Sequence, residues 1–419
     1  MAGVTRREVL GLIGAATVGT AAATGGDPPE LDRAIRLLRA APLIDTHNDL
    51  PWNLQANFDG DLSRIDLKER QPGVAADIPR LRQGCVGAQY WAVYTESATR
   101  HSRTALRDAM QRFDVIHRMI GALDALEFAG SADDIERIHR SGRIASLIGV
   151  EGGHMIDNSL ATLRIFHRLG ARYLTLTHGD TLEWADSATD RPLHEGLTEF
   201  GEDVVRELNR LGMFADISHV SSDTMRDVLR VSRAPVIFSH SNAYAVDPHP
   251  RNVPDDVLEQ LPRNGGVIHV NFIWSFVTPR HIEWQAARRQ ALRGIRAWVD
   301  DEAAVQRELV LWEAAVPRPS VGIAQVADHI DHIRKIAGVA HIGIGADFFD
   351  SGQSSMVRGL NDASRYPYLF AELLRRGYTD EEVLGIAGRN HLRAMRQMES
   401  AAHALRREPA RIAEHPSAG

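Results

Sequence analysis

The stretch LIDTHND at residues 43–49 decides the fold. A short apolar run leads directly into a His-x-Asp pair, the order expected where a buried strand ends and its last side chains enter a cavity. Side chains two positions apart on an extended segment point to the same side, so His47 and Asp49 can converge on one metal ion. A surface turn that carries three polar residues is the alternative, and the rest of the chain must decide between the two.

Seven further apolar runs of strand character follow, and helical patterns separate most of them. We predict the eight strands at residues 43–45, 88–93, 145–150, 173–177, 214–217, 236–239, 266–270 and 342–345. The clearest helical patterns are at residues 30–40, 105–120, 159–169, 201–211, 222–231 and 321–336, and residues 278–320 are helix-forming as well. Apolar strands that alternate with helices are typical of a parallel sheet covered on both faces. Eight such units predict the α/β fold class and a (β/α)8 TIM barrel of the metal-dependent hydrolase type, with a doubly wound open sheet as the alternative.

Charge and cysteine content restrict the function. The chain of 419 residues has a net charge of -7, which argues against nucleic-acid binding and favours a small-molecule partner. Cys85 is the only cysteine, so an intrachain disulfide and a Cys-rich zinc site are both excluded. Any metal ligands must therefore be His, Asp and Glu. Cys85 begins an apolar run, where we expect a small buried residue rather than a catalytic thiol.

The N-terminal residues 1–26 have the features of an export signal of the twin-arginine type. Paired arginines at positions 6 and 7 precede an apolar run of small residues, and AAA at 21–23 offers a cleavage site. We therefore predict a bacterial protein that engages the export machinery and is periplasmic or extracellular; a disordered N-terminus with a chance arginine pair is the alternative. Residues 27–401 are predicted to form a single barrel domain, and residues 402–419 a frayed tail.

Further predicted strands also end in residues that can bind metals. These residues are Glu151, His178, His219, His240 and Asp347, which follow the third, fourth, fifth, sixth and eighth strands. The carboxyl ends of barrel strands meet at one face, and burying so many polar groups there without a cation would be costly. Nitrogen and oxygen ligands suit zinc, although manganese, cobalt or iron could occupy the same set. Because a carboxylate can share its two oxygens between cations, the pattern predicts a binuclear metallohydrolase.

Six segments resemble the renal, or membrane, dipeptidase family, the binuclear zinc dipeptidases of peptidase family M19. They occur in the family's order: IDTHNDLPW at 44–52, GVEGGH at 149–154, YLTLTH at 173–178, DISHVS at 216–221, APVIFSHS at 234–241 and RNVPDD at 251–256. The resemblance extends over about residues 40–350.

The resemblance implies two Zn2+ ions per chain as cofactors. His47 and Asp49 match the ligands of one ion, His219 and His240 match those of the other, and Glu151 matches the bridging carboxylate.

The resemblance also implies roles for three further residues. His178 matches the residue that contacts the substrate carbonyl and stabilises its developing negative charge. Arg251 matches the residue that holds the terminal carboxylate of the dipeptide, a role suited to a planar fork of donors. Asp347 matches the aspartate that relays a proton from the attacking water to the leaving amine.

A dipeptidase is the function that the resemblance implies. A metal-bridging hydroxide would attack the peptide carbonyl, the substrates would include dipeptides with a C-terminal D-residue, and the protein could form a homodimer. Three segments depart from the family pattern, at residues 347–352, 387–390 and 179–184, which bears on substrate preference more than on hydrolysis. The alternatives are an amide or lactone hydrolase of a specialised metabolite on the same metal site, and a non-catalytic binding protein of the same fold.

Overall fold

The segment LIDTHN at residues 43–48 forms a strand, and all six of its residues are buried. The structure, a computed structural model, describes residues 27–350 and 355–412. Within these residues one sheet contains nine strands, each parallel to its neighbours. The strands are β1 (Leu43–Asn48), β2 (Val86–Tyr94), β3 (Leu126–Phe128), β4 (Ile144–Glu151), β5 (Ala171–Thr175), β6 (Phe214–Asp216), β7 (Ile237–Phe238), β8 (Val267–Val270) and β9 (Ile342–Ile344).

Eight of these strands close into a barrel. The sheet order is β2-β1-β9-β8-β7-β6-β5-β4-β3. Strand β2 also pairs with β4, from Ala88 opposite Ala145 to Tyr94 opposite Glu151, which closes a ring of all the strands except β3. The predicted (β/α)8 TIM barrel is thereby confirmed.

Strand β3 was not predicted from the sequence. It pairs with β4 at Ile144–Ser146, whereas β5 pairs with the later part of β4, so β3 lies outside the closed ring. With only three residues, of which one is a glutamate, β3 has too short an apolar pattern to be recognised.

Helices cover the outside of the barrel. Within the described residues they span Leu31–Ala40, Leu50–Phe58, Ile78–Gln83, Ala105–Ala122, Ala132–Arg140, Leu160–Arg168, Glu199–Leu211, Ser222–Val231, Asp255–Leu258, Leu261–Asn264, Arg280–Arg296, Glu302–Ala315, Ile323–Ile336, Tyr366–Arg375, Asp380–Leu384 and Asn390–Leu405. The helix-forming segment 278–320 thus contains two helices. No helix in the described part of the chain is both long enough and apolar enough to cross a membrane.

Local sequence fixes where the helix after β6 begins. The Ser221 hydroxyl accepts a hydrogen bond from the backbone N–H of Thr224 at 3.2 Å, which caps the helix Ser222–Val231. Buried Met225 and Val228, three positions apart, face the barrel. The connection from β6 to this helix is therefore short, and it carries His219 at the rim.

Aromatic residues fill the inside of the barrel. Tyr90 and Tyr173 are fully buried and stack with their ring centroids 5.5 Å apart. They share an apolar cluster with Met395 and Met398 of the last helix. Cys85 is buried, as the sequence predicts.

The last helix continues to Leu405, four residues into the segment predicted as a tail. Beyond it, Glu408 pairs with Arg233 at 2.7 Å and Arg411 pairs with Asp203 at 2.6 Å. The division into domains stays a prediction, and the predicted export signal at 1–26 lies outside the described residues.

Candidate metal centre

The structure brings the eight predicted site residues together at the carboxyl ends of the strands. Six of them line one cavity of about 420 Å³, namely Asp49, Glu151, His178, His219, Arg251 and Asp347. The other two, His47 and His240, are fully buried and contact Glu151.

Glu151, the last residue of β4, lies between one histidine on one side and two on the other. Its Oε2 atom is 3.3 Å from Nε2 of His47. Its Oε1 atom is 3.1 Å from Nε2 of His219 and 3.3 Å from Nε2 of His240. The two carboxylate oxygens thus face different histidines, which is the arrangement that a carboxylate bridging two cations requires.

The ligand set fits zinc. A Zn–N bond of about 2.0–2.1 Å in a tetrahedral site puts neighbouring ligand atoms about 3.3 Å apart, which is close to the separations around Glu151. Asp49 adds a carboxylate, with Oδ2 3.2 Å from Nε2 of His47. The buried Oδ1 atom of Asp49 has no hydrogen-bond partner among the residues that the structure describes, as expected of an oxygen that binds a cation.

Tyr173 determines which nitrogen of His47 faces the site. Its hydroxyl lies 3.2 Å from the carbonyl oxygen of Thr46, which can only accept, and 2.9 Å from Nδ1 of His47. Because the single hydroxyl proton goes to Thr46, Nδ1 of His47 must carry a proton and donate. Nε2 is then free to bind a metal. Gly149 makes room for this tyrosine, since a Cβ there would overlap the Tyr173 ring.

Ser239 has the same relation to His240. Its hydroxyl donates to Oδ2 of Asp216 at 2.6 Å and lies 2.7 Å from Nδ1 of His240. Since a carboxylate can only accept, Nδ1 of His240 must donate to the serine, and Nε2 faces Glu151. Asp216 also accepts from the Thr175 hydroxyl and from the backbone N–H of Ser239, so it links β5, β6 and β7.

A second buried aspartate, Asp45, holds the other side of the centre. Its Oδ1 accepts from the backbone N–H groups of His47 at 3.2 Å and Ala346 at 2.8 Å. Its Oδ2 accepts from the Tyr366 hydroxyl at 2.5 Å and from Gln89 at 3.0 Å. The Asp45 carboxylate therefore fixes the backbone at His47, a predicted ligand, and at Ala346, which precedes Asp347.

Two site residues have a left-handed backbone. Both His219 and Asp347 have φ of 68°, which is uncommon for residues other than glycine. Such conformations persist where the surrounding structure determines them, and they are frequent at functional sites. Each lies three positions after the last residue of its strand, where the turn directs its side chain toward Glu151 or His47.

Burial shifts the pKa of three residues that line the cavity. It lowers the pKa of His178 to about 3, an effect that the Arg251 charge increases, so this imidazole is neutral near pH 7. Burial raises the pKa of Asp347 to about 7, against the attraction of His47 and Arg251. It also lowers the pKa of Arg251 to about 10, which still leaves the guanidinium charged. Shifts of this kind, combined with a cavity, are typical of functional sites.

Arg251 has hydrogen-bonding capacity left over. Its Nη2 donates to the carbonyl oxygen of His240 at 3.4 Å, whereas the buried Nε and Nη1 have no hydrogen-bond partner within residues 27–350 and 355–412. The Phe276 ring lies 5.4 Å from the guanidinium carbon. A buried cation with free donors at a cavity wall suits an anionic group of a ligand.

Several residues that line the cavity were not predicted from the sequence to be functional. They are Trp52, Tyr94, Glu96, Ile273, Ser275, Phe276 and Phe349. Trp52 follows Asp49 by three positions, Tyr94 and Glu96 follow the second predicted strand, and Phe349 follows Asp347. Closeness to a strand end was therefore the signal that could have identified most of them.

Comparisons with known proteins agree with this geometry. The profile of the membrane dipeptidase family, peptidase family M19, matches residues 31–409. Dipeptidase 3 from Homo sapiens is 40% identical over 401 residues, which cover 94% of this chain and 73% of the human protein. Dipeptidase 3 from Rattus norvegicus is 40% identical over 378 residues, covering 89% of this chain and 68% of the rat protein.

Solved structures share the fold. The probable dipeptidase PvdM from Pseudomonas aeruginosa superposes with a TM-score of 0.74 at 22% identity, covering 89% of this chain and 99% of that protein. A metallo peptidase from Rhodobacter sphaeroides, liganded with a phosphinate mimic of the dipeptide L-Ala-D-Ala, has a TM-score of 0.69 at 23% identity and covers 85% and 99% of the two chains. The barrel, the cluster of possible metal ligands and the family match lead to one conclusion: this chain belongs to the membrane dipeptidase family and is a metallo-dipeptidase, a hydrolase that acts on dipeptides.

Proposed function

We propose that the chain is a binuclear zinc dipeptidase in which Glu151 bridges the two ions. His47 and Asp49 would hold one ion, and His219 and His240 the other. The observation that carries this proposal is the orientation of Glu151, whose two oxygens face His47 on one side and the other two histidines on the other. When bound, the two ions would activate a water as the nucleophile and polarise the scissile carbonyl.

Arg251 and His178 would orient the dipeptide. The free donors of Arg251 suit the C-terminal carboxylate, and burial strengthens this pairing because water competes less for the guanidinium. His178 lines the same cavity, with Nε2 3.9 Å from Oε1 of Glu151. A neutral imidazole there can donate one N–H to the carbonyl oxygen as negative charge develops on it.

Asp347 would transfer the proton. Its Oδ1 lies 3.9 Å from Nε2 of His47, beside the place where the nucleophilic water is expected. From this position the carboxylate could accept a proton from that water and then give it to the leaving amine. Asp45 supports this role by holding the adjacent backbone.

Dipeptides with a C-terminal D-residue are the proposed substrates. A cavity of about 420 Å³ with a buried arginine in its wall favours a short peptide whose free carboxylate lies close to the reacting carbonyl. The Rhodobacter sphaeroides relative binds a phosphinate mimic of L-Ala-D-Ala, which supports tolerance of a D-residue.

Export and dimer formation are separate proposals. The features of residues 1–26 support export through a twin-arginine pathway to the periplasm or the medium. A homodimer is implied by the family resemblance alone.

One experiment tests the proposed function. Purified protein loaded with zinc is assayed on a panel of L,L- and L,D-dipeptides, N-acyl amino acids and lactones, with metal content measured in parallel. We expect hydrolysis of dipeptides, including L-Ala-D-Ala, and two ions per chain, reduced to at most one by Asp49→Asn. Activity on the acyl amino acids or lactones alone would select the alternative amide or lactone hydrolase, and full dipeptidase activity of Asp49→Asn would refute the ligand assignment.

A further inference from the structure

The cavity has a second polar wall that the proposed mechanism does not use. It is formed by Trp52, Tyr94 and Glu96, which line the same cavity as Arg251. The rings of Trp52 and Tyr94 have their centroids 6.4 Å apart and are tilted by 58°. The Tyr94 hydroxyl donates to Oε2 of Glu96 at 3.1 Å. Two aromatic faces beside a carboxylate are a typical environment for an organic cation.

The backbone places Glu96 firmly in this wall. The Glu96 carbonyl oxygen accepts from the backbone N–H of Thr99 at 2.9 Å and from the Thr99 hydroxyl at 2.6 Å, which closes a short turn. Arg100, at the end of that turn, donates to the carbonyl oxygen of Thr181 at 2.7 Å and pairs with Glu183 at 2.8 Å. The Glu96 carboxylate therefore stays at the cavity instead of moving with a flexible loop.

The charge of Glu96 is available to a ligand. Across residues 27–350 and 355–412, no basic side chain forms an ion pair with Glu96, whereas nearby Glu183 is paired with Arg100. Glu96 is exposed, and the bond from Tyr94 engages one of its two oxygens, so Oε1 can accept from a donor in the cavity.

The position of His178 indicates which part of a dipeptide would reach this wall. The His178 ring lies 4.8 Å from the Tyr94 ring, and its Nδ1 is 3.2 Å from the Ser97 hydroxyl, next to Glu96 in the chain. Arg251, in contrast, contacts Phe276. If Arg251 holds the C-terminal carboxylate and His178 the carbonyl, the N-terminal residue extends toward Tyr94 and Glu96.

We propose that Trp52, Tyr94 and Glu96 form a subsite for a cationic side chain on the N-terminal residue of the substrate, so that dipeptides beginning with lysine or arginine are preferred. The aromatic rings cover the alkyl stem, and Glu96 pairs with the ammonium or guanidinium group. This inference rests on the proposed dipeptidase function.

The test compares two substrates that differ in one charge. Lys-Ala and norleucyl-alanine have the same alkyl stem, so the ratio of their kcat/KM values reports recognition of the ammonium group. We expect a ratio above one for the parent, and a decrease of about three- to tenfold in Glu96→Gln, the range expected for a partly exposed ion pair with aromatic neighbours. Glu96→Lys should instead raise kcat/KM for Glu-Ala relative to norleucyl-alanine.

Asp180→Asn is the matched control. Asp180 lies on the same rim after β5, but it is not among the residues that line the cavity, so this variant should leave the ratio unchanged. An equal decrease in Asp180→Asn and Glu96→Gln would mean that only the overall charge of the rim matters, and would overturn the subsite.

An equal loss on both dipeptides in Glu96→Gln would also overturn the subsite, since Glu96 would then bind the α-ammonium group common to all dipeptides. If the parent cleaves norleucyl-alanine without preferring Lys-Ala, the subsite alone is refuted; if it cleaves neither dipeptide, the proposed function fails and the subsite with it.

Discussion

The hydroxyl oxygen of Tyr173 lies 2.9 Å from Nδ1 of His47, although the two residues are 126 positions apart in the chain. Because this hydroxyl donates to the backbone at Thr46, it can only accept from the histidine. A tyrosine inside the barrel thus fixes the tautomer and orientation of a proposed ligand of the first ion.

Replacing Tyr173 by phenylalanine should weaken binding of the first ion by about 10- to 100-fold, because His47 loses the acceptor that holds its Nδ1 proton. The measurement is metal content after dialysis against increasing chelator concentrations, and we expect one ion to leave earlier than in the parent. Tyr90→Phe is the control, since the equally buried Tyr90 hydroxyl bonds to His391 at 2.9 Å and not to a proposed ligand. Equal metal retention in the two variants would contradict the role of Tyr173.

Replacing Ser239 by alanine should weaken the second ion instead, because His240 loses its hydrogen-bond acceptor. The same chelator series measures the effect. Thr175→Val removes another hydroxyl donor from Asp216 but leaves His240 and Ser239 in contact, so it should retain both ions. Loss of metal from Thr175→Val to the same extent would assign the effect to Asp216 and not to the serine.

Arg251→Lys should raise KM for dipeptides by about 10- to 100-fold, since an ammonium group cannot reproduce the planar fork of the guanidinium. Kinetics on Ala-D-Ala and on its C-terminal amide measure the effect. The amide lacks the carboxylate, so the preference for the free acid should fall in the variant. A loss of the same size on both substrates would mean that Arg251 does not bind that carboxylate.

Asp347→Asn should stabilise the metal-free protein at neutral and alkaline pH. Burial raises the pKa of Asp347 from 3.8 to about 7, so the folded state binds this proton more tightly than the unfolded state does. The carboxylate therefore costs stability as pH rises from about 4 to about 7, and the cost is constant above that range. At about 1.4 kcal/mol per pKa unit, urea unfolding of apo parent and variant should differ by about 4 kcal/mol at pH 8 and by less at pH 5. A difference independent of pH would show that Asp347 keeps an ordinary pKa.

The main features of the fold and of the proposed site could be predicted because both depend on short local patterns. Each barrel strand is an apolar run, and the carboxyl ends of all strands meet at one face, so a polar residue after a run identifies a position at the rim. His47, Glu151 and His240 were recognisable for this reason. Strand β3 was not predicted, because it has only three residues, which pair outside the ring.

The contacts that orient the ligands could not be predicted in this way. In the sequence, Tyr173 is one more aromatic residue in a buried strand, and Asp216 is one more polar residue at a strand end. Their partners His47 and Ser239 lie elsewhere in the chain, and only the closed barrel brings them within hydrogen-bonding distance. The position of Glu96 in the cavity also depends on the turn after β2, which carries no distinctive pattern.

The last barrel strand in the chain lies beside the first: Ile344 of β9 pairs with Asp45 of β1, and Asp347 donates its backbone N–H to the carbonyl oxygen of His47 at 3.2 Å. During synthesis, the ribosome must therefore add about 300 residues after Asp49 before this seam can form, which takes about 15–60 s at about 5–20 residues per second. During that interval β1, and later β8 once residues 267–270 have been synthesised, have open edges that can pair with other chains. We therefore expect a nascent chain of this protein to be prone to aggregation until its last barrel strand emerges, because only then are both strand edges paired and Asp347 placed beside His47.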